Sequence, residues 1–365
     1  MMSTRISCAR VPAGGSKRCA GLVAAWLMLS SLAASAAHRE AAHAPQGALE
    51  IYFADVEGGQ ATLFVTPAKQ SLLIDTGWGD HGGRDADRIV AAAKDAGLDK
   101  IDYVLITHFH ADHVGGVPGL AAKFPIRTFL DHGENRESAS ASTVAGWNAY
   151  EQLLATGKYK HRTVKPGEAL PVKGLNGVVV SADGNLVAGP LAGAGEANPG
   201  CADRHGYPAD QTENARSLGA RFSFGKLRIL DLGDLTSDKE MELVCPQNKL
   251  GKIDIYIVSH HGWSESGSPP LVNGIAPRVA IMDNGAKKGG TPSTWDIIEK
   301  SPRLEDLWQL HYSEEGGEAH NVRPQYIANL EGPDNGNYLK LTAWPDGKFE
   351  VFNARTRETK TYPAK

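Results

Sequence analysis

Thr107-His108-Phe109-His110-Ala111-Asp112-His113-Val114-Gly115-Gly116 places four metal-ligand side chains within six residues, directly behind the apolar run Tyr103-Val104-Leu105-Ile106. Imidazole nitrogens with a carboxylate suit zinc, iron or manganese better than calcium or magnesium, which favour oxygen shells. An apolar run that ends in ligands and then in paired glycines reads as a strand feeding a tight loop. A lone histidine is usually an ordinary core or surface residue, but four ligand types at this spacing are not.

Outward from this loop the pattern alternates. Ile51-Tyr52-Phe53, Ala61 to Val65 and Ser71 to Ile74 read as strands, the last ending at Asp75-Thr76-Gly77-Trp78. Asp85 to Ala96 and Val144 to Thr156 have helical spacing. Val164 to Val180 returns to strands, and Gly184 to Tyr207 reads as a long surface loop. Ser217 to Phe224 and Leu227 to Leu232 form a hairpin about Gly225-Lys226, followed by Gly233-Asp234. The strand Ile253 to Val258 runs into Ser259-His260-His261-Gly262. Thr294 to Lys300 and Pro302 to Trp308 are expected to be short helices, and Leu339 to Ala343 with Phe349 to Phe352 a late hairpin at Asp346-Gly347. With no repeat and no heptad, one folded domain is expected over 51–355, with a tail over 356–365.

The chain has 365 residues, 41% hydrophobic and 22% charged, with a net charge of -4. That allows a sizeable core and gives no support for a broadly basic nucleic-acid surface. The first 36 residues read as an export signal. Arg5, Arg10, Lys17 and Arg18 lead into the apolar stretch Leu22 to Leu32, and Ala34-Ser35-Ala36 has the form of a cleavage site. The competing reading is an uncleaved anchor, though the stretch is short for a membrane span. The long basic start leaves open a start codon beyond Met1. A flexible leader is expected over 37–50. Cleavage removes Cys8 and Cys19 and leaves Cys201 and Cys245. In a secreted or periplasmic setting these read as one disulfide, with two separate thiols as the alternative.

Taken in order, Asp75-Thr76-Gly77, His108-x-His110-x-Asp112-His113, Asp234 and His260-His261-Gly262, each behind a strand, resemble the metallo-β-lactamase superfamily from about residue 51 to 352. The resemblance implies an α/β fold, a four-layer αββα sandwich with a binuclear site at one edge. Asp55-Val56 with Gly58-Gly59-Gln60-Ala61, Glu213-Asn214 and Ser259-His260-His261-Gly262 is similar to the metallo-β-lactamase domain of competence-type DNA-uptake proteins. Some secreted relatives act on phosphorylcholine esters of cell-wall polymers, which leans the reading toward phosphodiesters.

The resemblance implies roles residue by residue. His108 and His110 match ligands of a first metal, Asp112 and His113 ligands of a second, and Asp234 a carboxylate that can bridge both. His260 or His261 matches the final histidine, with His260 preferred as the first off its strand. Many members carry a further histidine before the hairpin. Here Glu213 and Asn214 stand there, so either the first metal is held more weakly, or Asn214, Glu213 or an outlying histidine completes the first site. Asp55 and Asp75 are expected to support ligand loops. Trp78, His81 and Trp263 are pocket candidates, Trp78 equally a core anchor. Lys287 and Lys288 beside Gly289 either attract an anion or form a solvated turn. The subgroup's Gly-His-Pro is Gly290-Thr291-Pro292 here. His311 is either a functional substitute for the missing histidine or a surface residue.

The expected function is an exported hydrolase acting through metal-activated water, with Asp112 and Asp234 in the catalytic centre. It would hold one or two divalent ions, zinc first and manganese or iron next. A small-molecule or cell-wall-derived phosphodiester is the favoured substrate, with nucleic acid kept open as a partner. One alternative is a β-lactamase or lactonase acting on a cyclic amide or ester. The other is a non-catalytic protein that binds a cell-wall polymer or nucleic acid. No membrane span is expected after signal cleavage, and the oligomeric state is not legible.

Overall fold

The strands of this chain read as nearly unbroken apolar runs because both of their faces are covered. The computed structural model describes residues 47–202 and 206–365. The expected signal over 1–36, with Cys8 and Cys19, and most of the expected leader lie outside the described residues.

In the first half of the chain the elements are β1 (Leu49–Phe53), β2 (Thr62–Val65), β3 (Ser71–Ile74), α1 (Arg84–Asp95), β4 (Ile101–Leu105), α2 (Ala111–Val114), α3 (Val117–Lys123), β5 (Ile126–Asp131), α4 (Ala141–Ala155) and β6 (Lys160–Thr163). Then follow β7 (Asn176–Ala182), β8 (Asn185–Leu186), β9 (Gly219–Phe224), β10 (Leu227–Asp231), α5 (Ser237–Val244), β11 (Ile255–Ile257), α6 (Pro269–Ile275) and β12 (Val279–Met282). The last are α7 (Pro292–Glu299), β13 (Asp306–His311), β14 (Ile327–Asn329), β15 (Leu339–Ala343), β16 (Phe349–Asn353) and β17 (Thr359–Tyr362).

Among the described residues these strands form a nine-stranded sheet, β17-β16-β15-β1-β2-β3-β4-β5-β6, and an eight-stranded sheet, β14-β13-β12-β11-β10-β9-β7-β8. Alternate side chains point to opposite faces. Ile51, Phe64, Leu72 and Ile74 of the first sheet therefore join Phe222, Ile229, Ile255 and Ile281 of the second in one inner core. Tyr52, Leu63, Leu73 and Val104 point the other way and pack with Ile89 of α1, Leu120 of α3 and Tyr150 of α4. On the far side Leu230, Tyr256 and Met282 pack with Leu243 of α5, Leu271 of α6 and Ile298 of α7. Helices, sheet, sheet and helices make the four layers of the αββα sandwich. Among the described residues no helix is long and apolar enough to cross a membrane.

Three stretches differ from the sequence reading. Strand β1 takes in Leu49 and Glu50, which that reading left in the leader; both are buried and pair with Ala343 and Thr342. Pro302 to Trp308 is not a helix. The stretch turns into β13, whose Leu307 and Trp308 enter opposite cores beside β12. That alternation outweighs the helix-start signal of the proline. The expected tail over 356–365 contains β17, paired antiparallel with β16. Its Tyr362 stacks on Phe349 at 4.7 Å, accepts a hydrogen bond from Trp308 Nε1 at 2.9 Å and donates one to Asp306 at 2.7 Å. Strands β5 and β12 lie in stretches that the reading left without an element.

Topology collects the chemistry. β3, β4 and β5 run parallel, as do β10, β11, β12 and β13. Parallel strands present all their carboxyl ends on one side, where loops can converge. Asp75 follows β3, His108 to His113 follow β4, Asp234 follows β10, His260 and His261 follow β11, and Asp283 follows β12. The two sheets are tied there by Leu218 N–H to Thr107 O at 2.8 Å and by Gln60 Nε2 to Asp231 Oδ2 at 2.6 Å.

Candidate metal centre

The ligand loop is compact because glycines let backbone approach backbone. A Cβ on Gly116 would strike the Thr76 carbonyl, and one on Gly289 would strike the His261 carbonyl. His260 and His261 themselves adopt left-handed backbone, φ 54° and 56°. That conformation is costly for non-glycine residues and is kept only where surroundings impose it. Here His260 N–H donates to Gly233 O at 3.0 Å and Gly290 N–H to His261 O at 2.9 Å.

One group of donors is tight. Asp112, His113, Asp234 and His261 are all buried, and one ligand atom of each lies within 4.8 Å of the others. His113 Nε2 is 3.2 Å from His261 Nε2, 3.3 Å from Asp112 Oδ2 and 3.2 Å from Asp234 Oδ2. His261 Nε2 is 3.3 Å from Asp112 Oδ2 and 3.4 Å from Asp234 Oδ1. Tetrahedral ligands roughly 2.0–2.1 Å from a zinc-sized ion stand about 3.3–3.4 Å apart, so these spacings suit one shared cation. His261, not the preferred His260, is the histidine that joins Asp112 and His113.

Beside it lies a second group. His108 Nε2 faces His110 Nδ1 at 3.0 Å, and Asp234 Oδ2 is 3.8 Å from His108 Nε2 and 3.5 Å from His260 Nε2. Asn214 Nδ2 is 3.5 Å from His260 Nε2, and Asn214 Oδ1 is buried with no hydrogen-bond partner. Glu213 turns away. It is fully buried and accepts from Phe109 N–H, Arg136 N–H and His132. Of the candidates for completing the first site, the structure brings up His260 and Asn214 and diverts Glu213. Asp234 stands between the two groups.

The outward nitrogens of His108, His110, His113 and His260 have hydrogen-bond partners, which orients those rings, whereas His261 Nδ1 is buried without one. Thr107 Oγ1 lies 3.0 Å from His108 Nδ1 and donates to Asp75 Oδ2 at 2.6 Å. Asp75 Oδ2 is also 2.7 Å from His113 Nδ1, while its Oδ1 accepts Thr107 N–H at 2.8 Å. Asp75 therefore touches the centre through its histidine rather than directly. Ser266 Oγ lies 3.3 Å from His260 Nδ1 and Asp283 Oδ1 lies 3.4 Å from His261 Nδ1. Glu137 Oε2 lies 2.8 Å from His110 Nε2. Sequence reasoning missed Thr107, Ser266, Asp283 and Glu137. Thr107 and Asp283 carried a signal, since each directly follows or closely trails a core strand; Glu137 carried none.

Electrostatics agree. Burial alone would lower His113, yet Asp234, Asp112 and Asp75 hold it well above the ordinary imidazole range. Burial is likewise overridden at His261, chiefly by Asp234, and the ring is pushed up to about 10. Burial carries His108 well down and His260 down to about 4. Burial would raise Asp112 and Asp234, but His113 leads the groups that hold both well below the carboxylate range. Carboxylates this deep call for positive charge. Asp234 Oδ1 is buried without a hydrogen-bond partner. Inward nitrogens, an orphaned carboxylate oxygen and matched spacings fit one or two divalent cations.

Other candidates are distributed unevenly. Lys288 reaches in: its ammonium contacts Asp112 Oδ2 and lies 5.2 Å from the centre of the Trp78 ring. Trp263 stacks on His260, 6.1 Å between ring centres. His81 stays outside the cluster, half exposed, with its Nε2 3.1 Å from Asp80. His311 is not a surface histidine. It is buried 2.6 Å from Asp55 Oδ1, in a separate group with Glu57. Asp55 also accepts from Glu57 N–H and Arg88, so it fixes its own loop away from the ligands. Cys201 and Cys245 form a disulfide, with 5.8 Å between their Cα atoms.

Comparison with known proteins follows the same line. The profile of the metallo-beta-lactamase superfamily matches residues 54–185. Recombination protein 2 of Haemophilus influenzae is 23% identical over 309 residues, covering 84% of this chain and 30% of that protein. Hydroxyacylglutathione hydrolase of Stenotrophomonas maltophilia is 38% identical over 84 residues, 23% of this chain and 31% of that protein. The matches thus span under a third of these relatives' lengths. Among solved structures, the metallo-beta-lactamase fold protein YhfI from Bacillus subtilis aligns with a TM-score of 0.45 and 10% identity, over 80% of this chain and 98% of that chain. The fold brings the His/Asp cluster together as a candidate metal centre. Over residues 54–185 the chain matches the metallo-β-lactamase superfamily, and the two-sheet sandwich and the His/Asp cluster are consistent with that match.

Proposed function

We propose that the protein is an exported metal-dependent hydrolase of phosphodiesters, with zinc as its first-choice metal. The hydrolase reading rests on the two donor groups that share Asp234. A divalent cation held there supplies a water acidic enough to attack near neutral pH and a positive charge against the charge that develops on the electrophile. The chain's own groups do the rest. Asp112 lies at the shared edge of His113 and His261, placed to orient the attacking water. The outward partners keep the histidine nitrogens aimed inward.

The phosphodiester preference rests on Lys288, a cation beside Asp112 and over Trp78. A fixed ammonium favours an anionic substrate, and the partial exposure of its side chain, 25%, leaves it open to one. A cavity of about 470 Å³ is lined by Tyr207 to Thr212, Thr236 to Asp238, Ser264 and Glu265, which lie within a few positions of Asn214, Asp234 and Trp263 in the chain. The similarity to the domain of competence-type DNA-uptake proteins supports the same class. Export draws on the signal-like start and on the disulfide, a bond that persists in oxidising compartments.

The second reading, an ester or cyclic amide, draws on the short match to hydroxyacylglutathione hydrolase. Bis(p-nitrophenyl) phosphate, a chromogenic cephalosporin and a lactone, assayed in parallel with metal-loaded protein, separate the readings. The phosphodiester should turn over fastest. Faster metal-dependent cephalosporin or lactone hydrolysis would reverse the order, and no turnover of any would point to a binding protein.

A further inference from the structure

His110 is the one ring of the centre that packing does not hold. Its side chain is 23% exposed, against 0% for His108 and His113, 1% for His261 and 9% for His260. A half-open imidazole can rotate about its side-chain bonds and exchange which nitrogen faces inward. A hydrogen bond must therefore do what burial does for the others.

Glu137 makes that bond. It lies in the loop between β5 and α4, its own side chain 17% exposed. Its Oε2 accepts from His110 Nε2 at 2.8 Å and from Glu213 N–H at 3.0 Å. The loop is fixed in return: Arg136 N–H donates to Glu213 Oε1 at 2.7 Å, and Glu137 N–H to Asn135 Oδ1 at 2.8 Å. Glu213 Oε2 accepts Phe109 N–H at 3.2 Å, between the two histidines. Two carboxylates thus grip the segment His108-Phe109-His110 at its backbone and at its last ring.

We propose that Glu137 is the positioning residue for His110. By holding the proton on Nε2 it leaves Nδ1 as the inward donor opposite His108 Nε2. Among the donors it bonds only His110, and its second bond, from Glu213 N–H, lies on the same side of the centre, so it sets cation affinity in the His108/His110 group and not in the Asp112/His113/His261 group. The proposal rests on the metal-centre reading above.

Metal-stripped full-length protein titrated with Co2+, followed by calorimetry and visible absorption, tests it. His110→Ala and His261→Ala assign the two binding events. In Glu137→Ala the His110-dependent affinity should fall about 10- to 100-fold, the range for loss of a ligand's hydrogen-bond partner, with the other event unchanged. Glu137→Gln should recover most of it, because the amide oxygen accepts the same Nε2–H. Glu137→Asp, which draws the oxygen back by one methylene, should weaken the same event and carries the test if the alanine variant does not fold. Wild-type titration by Glu137→Ala and Glu137→Asp, or an equal loss in both events, would overturn the proposal. A wild-type chain that binds no Co2+ would instead overturn the metal-centre reading, a separately visible result.

Discussion

His113 Nε2 and His261 Nε2 stand 3.2 Å apart although 148 residues separate them. One ring hangs from the loop after β4 in the first sheet, the other from the loop after β11 in the second. The candidate metal centre is therefore a seam between sheets, and its geometry reports on how they pack. Asp234 lies beside both rings, 3.2 Å from His113 Nε2 and 3.4 Å from His261 Nε2, and also borders the His108/His260 group.

Asp234→Ala should abolish both binding events rather than one. The loss of affinity should exceed the about 10- to 100-fold expected for removing only a ligand's partner. Equilibrium dialysis with metal analysis checks this, and circular dichroism of the metal-free variant should match the wild type. One event surviving at wild-type affinity would show that Asp234 serves a single site.

Cation binding should stabilise the fold by mass action, about 4 kcal/mol at a free concentration a thousand times Kd. Thermal melts with zinc and with a chelator should differ accordingly. Identical melting points would argue that no cation binds the native state.

Lys288→Met should raise KM for an anionic phosphodiester by about 10-fold or more, in line with loss of a hydrogen bond from a charged group. KM for a neutral lactone should change little. Steady-state kinetics on both substrates give the answer. A parallel change on both would assign Lys288 to the centre's integrity rather than to recognition.

Glu240, which is not among the donors, predicts a pH dependence of its own. Burial raises its carboxyl to about 7 from the usual 4.5, although Gly267 and Ser268 N–H both donate to it at 2.8 Å. A raised folded-state value means the native protein holds the proton longer than the unfolded chain. Between those two pH values unfolding releases a proton, so stability falls as pH rises and levels off above about 7. The slope approaches about 1.4 kcal/mol per pH unit at most. Urea midpoints of metal-free protein from pH 4.5 to 8 should show a steeper fall for wild type than for Glu240→Gln. Parallel profiles would place the ionisation elsewhere.

Cys201→Ser should lower stability by about 2–4 kcal/mol, the usual range for a disulfide. The bond joins positions 44 apart in the sequence. Alkylation and intact mass of protein produced in an oxidising compartment should find neither Cys201 nor Cys245 free. Both alkylatable there would show that the bond does not form.

Much of this was legible in sequence because the informative residues are local. His108, His110, Asp112 and His113 share one loop, so spacing alone announces a cation site. Asp75 and Asp234 are marked by the strands that precede them. Short, nearly unbroken apolar runs exposed the inner strands, and the superfamily resemblance supplied their layering. Where local cues compete, the reading failed: Pro302 looks like a helix start, but Leu307 and Trp308 each fill a different core, which a helix could not arrange. The same holds for Tyr362, whose partners Phe349, Trp308 and Asp306 all lie at least 13 positions earlier in the sequence.

The sequence by itself determined the ligand types, their order and the strand ends that carry them, because those properties depend on neighbours a few residues away. Only the tertiary structure decided which of His260 and His261 meets Asp112. Two adjacent residues in left-handed backbone point their rings to different donor groups, and that depends on Gly233, Gly290 and the opposite sheet. It also decided that Glu213 turns into the interior and that Glu137, from a loop with no motif, reaches His110. Such contacts join residues distant in sequence, and their side-chain directions are set by packing rather than by spacing.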